Sequence, residues 1–201
     1  MTALFVAILF VLAAANDDDS EEIDRFNDFY EYSDSFARKI MFPISAAAYA
    51  LEASTIETCL RNTIGDVTIS GHSLGGALAT LAASHLVKLK VLENPDKVKL
   101  VTFGQPRVGN KEFADAVDEE VDYAYRVVHY HDLVPTIPKA GFWHQGIEIF
   151  YTSDMKPENS HYCGRGDSIY CSSTHWSTSI SDHREYFGKP VSEYGKGGCK
   201  T

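Results

Sequence analysis

The sequence predicts an α/β fold, a mostly parallel sheet whose strands are joined by crossover helices. Three observations carry this expectation. The chain has 201 residues, enough for one domain with a real core and one site. Short β-branched or apolar runs alternate with helical stretches, the pattern of successive βα units. The first strong strand also passes through a Gly-rich turn straight into the first strong helix.

Taken in order, residues Asp34 to about Asn62 are Ala-rich and free of Gly, with Pro43 the one breaker, so two helical stretches flanking that proline are expected. Asp66 to Ser70 is a short strand, and small residues from about Leu74 to Lys88 form the helix after it. Val98 to Phe103 is a second strand, Lys111 to Glu120 a helix and Tyr125 to His129 a third strand. Gly146 to Tyr151 is a further strand, and loops are expected over most of Thr152 to Ser181.

The N-terminal end has a different character. Leu4 to Ala15 is an uncharged apolar run that closes on Ala13-Ala14-Ala15, too short to span a bilayer and ending in a cleavable small-x-small pattern. Residues 1–15 therefore read as a signal peptide and imply a secreted, extracellular destination. Residues 16–33 read as an acidic leader, and 34–201 as a single domain. Formal net charge is −10, of which residues 16 to 31 hold −7, so the rest of the chain is nearly neutral. Such a surface offers nothing to nucleic acid or to anionic lipid headgroups. Four cysteines allow three pairings. Cys163 with Cys171 is favoured because they enclose a short loop rich in Gly, Asp and Ser, while Cys59 and Cys199 are left to pair or stay free.

Gly71-His72-Ser73-Leu74-Gly75 is a G-x-S-x-G elbow set between a strand and a helix. A serine on such a sharp turn needs Gly-sized neighbours two before and two after, and the turn lifts its hydroxyl beside the free N–H groups of a helix N-terminus. Strand, elbow and helix together specify an α/β-hydrolase arrangement with Ser73 as candidate nucleophile. A serine needs a base, and the base needs an acid that fixes its tautomer. The chain order of that fold is Ser, acid, His. Asp132 follows a late strand and precedes Leu133-Val134-Pro135, whereas Asp115, Asp118 and Asp122 lie in or beside a polar helix and read as surface.

Eight histidines compete for the base. His72 is locked in the elbow and His85 lies down the helix, so His183 is the preferred candidate, with His161 and His175 as substitutes. The gaps of 59 and 51 residues between Ser73, Asp132 and His183 each hold one or two βα units. A metal site from His129, His131 and Asp132 is the competing arrangement, but only the two histidines share a strand face and no other ligand completes it. The triad chemistry requires no cofactor and no metal. Arg165-Gly166-Asp167, inside the Cys163–Cys171 interval, matches an adhesion tripeptide of a kind that arises readily by chance.

Four segments resemble the class 3 lipases, the family of secreted fungal-type triacylglycerol lipases. They are GHSLGGALA within Val67 to Ala79, VTFGQPRVGN from Val101 to Asn110, RVVHYHDLVPTIP from Arg126 to Pro138, and DHREYFG from Asp182 to Gly188. The resemblance implies Ser73, Asp132 and His183 as the triad, the Leu74 N–H as one oxyanion donor, and a lipid or other carboxylic ester, typically an acylglycerol, as substrate. It also marks a departure. Relatives of this kind carry a strand ending in a motif like F-R-G-T upstream of the elbow, which supplies the second oxyanion donor, and then a lid. Neither motif occurs here, and no glycine precedes Gly65. A block near Ala50 to Ile64 is therefore expected to be lost, leaving a sheet shortened on its N-terminal side. Two functions follow: an active esterase or lipase, or a catalytically weak relative that binds lipid or a partner.

Overall fold

The computed structural model describes residues 31–52, 54–55, 67–88, 98–168, 171–172 and 177–200. The expected signal peptide, most of the acidic leader, Cys59, His175 and the segment from 56 to 66 lie outside the described residues.

The helical N-terminal stretch differs from the expectation. Instead of two helices flanking Pro43, one helical run passes through it: α1 (Asp34–Phe36), a π-helical turn (Ala37–Met41) and α2 (Phe42–Ala47). The π turn explains why. The Phe42 N–H reaches back five residues to the Ala37 carbonyl, so the hydrogen-bond register shifts just before Pro43. Pro43 then falls in the first turn of α2, where its missing N–H costs nothing. Ser33 caps the start, accepting from the Phe36 N–H at 3.2 Å. This run stops at Ala47, where Tyr49 and Ala50 close its end with tight i→i−3 bonds, Ser54 and Thr55 are helical again, and the expected helix toward Asn62 falls outside the described residues.

The sheet has the order β1-β2-β3-β4-β5, with β1 (Val67–His72), β2 (Val98–Phe103), β3 (Tyr123–His129) and β4 (Ile147–Tyr151) parallel and β5 (Ser160–Arg165) antiparallel to β4. Helix α3 (Leu74–Lys88) joins β1 to β2, and α4 (Lys111–Glu120), capped by the Asn110 side chain, lies between β2 and β3. Every residue of β3 is buried, as expected for a strand inside a parallel sheet covered on both faces. β5 was expected to be loop. None of its residues is buried and it carries Gly164, so it shows no period-two apolar pattern to betray a strand.

Alternation along the strands divides the core between two faces. Val101, Phe103, Tyr125, Val127, Ile149 and Tyr151 point toward Met41, Phe42 and Ile44 of the N-terminal helices. Ile69, Val98, Leu100 and Ala124 point toward Ala79 and Ala83 of α3 and Val117 of α4. The result is a helix–sheet–helix sandwich of the α/β-hydrolase kind. Phe42 ties three parts together: its ring meets Phe103 of β2 and Phe187 edge-on and stacks on Tyr194 at 5.2 Å.

The C-terminal part returns over the N-terminal helices through α5 (Ile180–Arg184), a two-stranded hairpin of β6 (Glu185–Tyr186) and β7 (Lys189–Pro190), and α6 (Val191–Lys196). Gly195 presses against the Ala46 carbonyl so closely that a Cβ there would collide with it. Cys163 and Cys171 are joined in a disulfide, with Cα atoms 6.1 Å apart, and Cys199 is also disulfide-bonded.

Candidate functional site

β1 delivers His72 and then turns sharply. Ser73 adopts φ +60°, a left-handed conformation that is uncommon for a residue with a side chain and typical of strain held at functional turns. The turn is tight enough that a Cβ on Gly71 would run into the Gly75 carbonyl and come within 2.6 Å of the Gly76 nitrogen. A Cβ on Gly76 would stand 3.0 Å from Gln105, so the start of α3 is pressed against the loop after β2. The Ser73 N–H donates to the Phe103 carbonyl at 2.9 Å. Leu74 opens α3, where the first N–H groups have no acceptor within the helix.

The turns after β1 and β3 and the short helix α5 bring the predicted residues together. His183 Nδ1 lies 2.9 Å from both carboxylate oxygens of Asp132, and its Nε2 lies 2.8 Å from Ser73 Oγ. A carboxylate only accepts, so Nδ1 carries the proton and the bare Nε2 accepts from the serine hydroxyl. All three side chains are buried. Asp132 is held further: Oδ2 accepts from the Tyr186 hydroxyl at 2.7 Å and Oδ1 from the Val134 N–H at 2.8 Å. Burial and the Asp132 charge push the Tyr186 hydroxyl well above its ordinary value, so it remains a donor.

Residues that sequence reasoning passed over complete the arrangement. Tyr186 lies three residues after His183, inside the DHREYFG segment, but its type alone did not reveal a link to Asp132. Gly104 has φ +56°, and a Cβ there would sit 2.5 Å from Asp132 Oδ2 and 2.9 Å from both His183 Nδ1 and the Tyr186 hydroxyl oxygen. Helix α5 is capped by Ser179, whose hydroxyl accepts from the Asp182 N–H and donates to the Asp182 carboxylate, both at 3.0 Å.

The rival residues serve elsewhere. His161 stands on β5, at the opposite edge of the sheet from β1, with its ring against Phe150. His85 is exposed in the last turn of α3. His129 turns inward and lies 2.7 Å from the Glu185 carbonyl, His131 stacks on Tyr130, and Asp132 is engaged by His183, so these three do not converge on one point. Among the described residues, Glu148, Cys163 and Cys171 lie close enough to share an ion, but the two sulfurs are spent in their disulfide. Asp118 accepts from the Gly146 N–H and Asp115 pairs with Lys111, both structural contacts. In Arg165-Gly166-Asp167 the Asp167 carboxylate takes a forked pair from Arg107, at 2.7 Å and 3.1 Å, and the His144 N–H.

A model of the class 3 lipase family matches residues 7–142. A Caenorhabditis elegans lipase is 37% identical over 169 residues, covering 67% of this chain and 47% of that protein. A solved structure of Rhizomucor miehei triacylglyceride lipase superposes with a TM-score of 0.59 at 36% identity, covering 63% of this chain and 49% of that one. A lipase structure from Rhizopus microsporus var. chinensis covers 92% of this chain and 61% of that one, with a TM-score of 0.58 at 27% identity. The chain thus spans about half the length of the relatives it matches. Fold, elbow and matched family agree, and this chain belongs to the class 3 lipase family.

Proposed function

We propose that the protein is a secreted esterase or lipase that cleaves acylglycerol esters through an acyl-enzyme on Ser73, with His183 as base and Asp132 as its orienting acid. The observation that carries the reading is the unbroken run of contacts from Ser73 Oγ to His183 Nε2, at 2.8 Å, and from His183 Nδ1 to Asp132, at 2.9 Å. As Ser73 Oγ attacks the ester carbonyl, its proton passes to His183 Nε2 and Asp132 stabilises the resulting imidazolium. The tetrahedral oxyanion faces the Leu74 N–H at the start of α3, where backbone donors and the helix dipole favour negative charge. Collapse expels the alcohol, which takes the proton from Nε2. Water, deprotonated by the same nitrogen, then releases the fatty acid and restores Ser73.

An apolar substrate is supported by the rim. Each segment carrying a triad residue exposes one large apolar side chain: Leu74 at 49%, Ile137 at 43% and Ile180 at 45%. Of these, Leu74 adjoins Ser73 in the chain, where an apolar side chain suits an acyl group. Export is supported by the apolar run Leu4 to Ala15 and by the Cys163–Cys171 disulfide. Among the described residues no helix is long and apolar enough to cross a membrane.

One observation favours a second reading, a weak or non-catalytic lipid-binding relative: the sequence upstream of the elbow lacks the F-R-G-T segment that gives such enzymes their second oxyanion donor. Loss of one donor lowers kcat by about 10²–10³-fold in other enzymes. The test is hydrolysis of p-nitrophenyl butyrate and of a triacylglycerol emulsion by the purified chain and by Ser73→Ala. Turnover abolished in Ser73→Ala is the expected result. Turnover that survives the substitution would overturn the triad, and emulsion binding without any turnover would favour the second reading.

A further inference from the structure

His72 stands beside the candidate nucleophile in the chain and behind the candidate base in space. Its Nε2 lies 2.7 Å from the backbone carbonyl oxygen of His183, and its ring stacks on the His183 ring with centroids 4.6 Å apart and an interplanar angle of 27°. A carbonyl can only accept, so Nε2 of His72 carries the proton and Nδ1 is bare. The Tyr49 hydroxyl, at the end of the N-terminal helical run, lies 2.6 Å from Nδ1 and donates to it.

We propose that His72 is a positioning residue for the base, its Nδ1 anchored by Tyr49 so that it grips His183 by its main-chain carbonyl and by its ring face. This rests on the reading of Ser73 and His183 given above.

The short helix α5 explains why such a grip is needed. Its five residues are too few to hold themselves in water, and its last carbonyls have no partner further along the helix. Two imidazoles supply partners from below: His72 takes the His183 carbonyl, and His129 Nδ1 lies 3.0 Å from the Asp182 carbonyl and 2.7 Å from that of Glu185. Only His72 also covers the face of the His183 ring. Because His72 ends β1 and Ser73 follows it, one rigid strand end carries both the nucleophile and the support of its base.

Tyr49 gives the arrangement a direction. The donors run one way, from the Tyr49 hydroxyl to His72 Nδ1 and from His72 Nε2 to the His183 carbonyl, and it is the carbonyl, able only to accept, that fixes the His72 tautomer. Burial raises the Tyr49 hydroxyl to about 12, so it keeps its proton. Burial, joined by the nearby His183, lowers His72 to about 4, so it stays neutral when its neighbour becomes an imidazolium.

Three substitutions in the full chain test this, with p-nitrophenyl butyrate as substrate. His72→Gln keeps a donor for the His183 carbonyl and an acceptor for Tyr49. His72→Phe keeps the stacked ring and loses both bonds, and Tyr49→Phe removes only the anchor on His72 Nδ1. The expected results are a kcat within about threefold of the parent for His72→Gln, a kcat about 10- to 100-fold lower for His72→Phe with KM unchanged, and an intermediate loss for Tyr49→Phe. A packing role predicts the opposite order, with Phe tolerated better than Gln, and that order would overturn the proposal. The far-downfield proton resonance of the His183–Asp132 hydrogen bond gives a readout independent of turnover: present in the parent and in His72→Gln, broadened or lost in Tyr49→Phe and His72→Phe. An unchanged resonance in both Phe variants would equally overturn it. Ser73→Ala separates the two claims. If it keeps full activity, the triad reading fails. If it is inert while His72→Phe and Tyr49→Phe match the parent, the positioning role alone fails.

Discussion

A Cβ on Gly104 would fall within 3 Å of three polar atoms of the site, and only the absence of a side chain lets Asp132, His183 and Tyr186 meet where they do. Gly104→Ala would have to hold φ near +56° and fit a methyl 2.5 Å from Asp132 Oδ2, so the triad must separate. The expected outcome is a loss of at least about 10²-fold in kcat in a chain that still folds by circular dichroism. Asp132→Asn tests the acid differently. It keeps the shape, but the amide favours the wrong His183 tautomer, and kcat is expected to fall about 10⁴-fold. His72 adds a pH dependence to stability. Its pKa is about 4 in the folded chain against an ordinary 6.5, so between those values the unfolded chain binds the extra proton. Stability should therefore fall as pH drops from about 6.5 toward 4, by up to about 3 kcal/mol from this group. Urea midpoints at pH 7 and pH 4 check this, and His72→Gln should show a shallower decline than the parent.

At the scale of elements, legibility followed the strength of the local pattern. Strands β1 to β4 and helices α3 and α4 were readable because β-branched runs and the elbow are unambiguous in a parallel sheet. β5 escaped because it is an exposed antiparallel edge with a central glycine, and α6 because Gly195, a poor helix former, is there to let the helix approach Ala46. The passage through Pro43 escaped because a shift of hydrogen-bond register leaves no mark in composition. The three candidate triad residues, each within hydrogen-bond reach of the next, were chosen from chain order and turn signals. The supports, Tyr49, Gly104 and Tyr186, act through contacts between segments distant in sequence, which no local pattern encodes. The Cys163–Cys171 link yields a prediction of its own. It closes a short loop, and Ser172 next to it donates its N–H to the Glu148 carboxylate, 3.6 Å from the guanidinium of buried Arg126. Replacing both cysteines by serine should lower stability by about 2–3 kcal/mol. Denaturant unfolding measures the loss, and kcat should change little because neither residue reaches the triad.

The whole molecule is a sheet sandwiched between helices, with its candidate site at one edge. Among the described residues, β1 pairs with β2 alone, so the nucleophile sits on an edge strand, and the chain spans about half the length of its relatives. The N-terminal helical run packs on β1: Ser70 Oγ donates to the Val101 carbonyl at 2.6 Å and lies beside Ser45 Oγ and the Met41 carbonyl. The same run leads to Tyr49 and so to His72, which links the packing of the N-terminal helices to the alignment of the base. Phe42→Ala, at the centre of that packing, should cost about 3–5 kcal/mol and lower activity together with stability. The central claim concerns the chemistry of one hydroxyl, and reaction with a fluorophosphonate followed by intact-mass and peptide mapping tests it most directly. The account predicts a single adduct on Ser73, absent in Ser73→Ala and greatly slowed in His183→Ala. A chain that hydrolyses esters yet takes up no adduct, or takes it up on another residue, would contradict it.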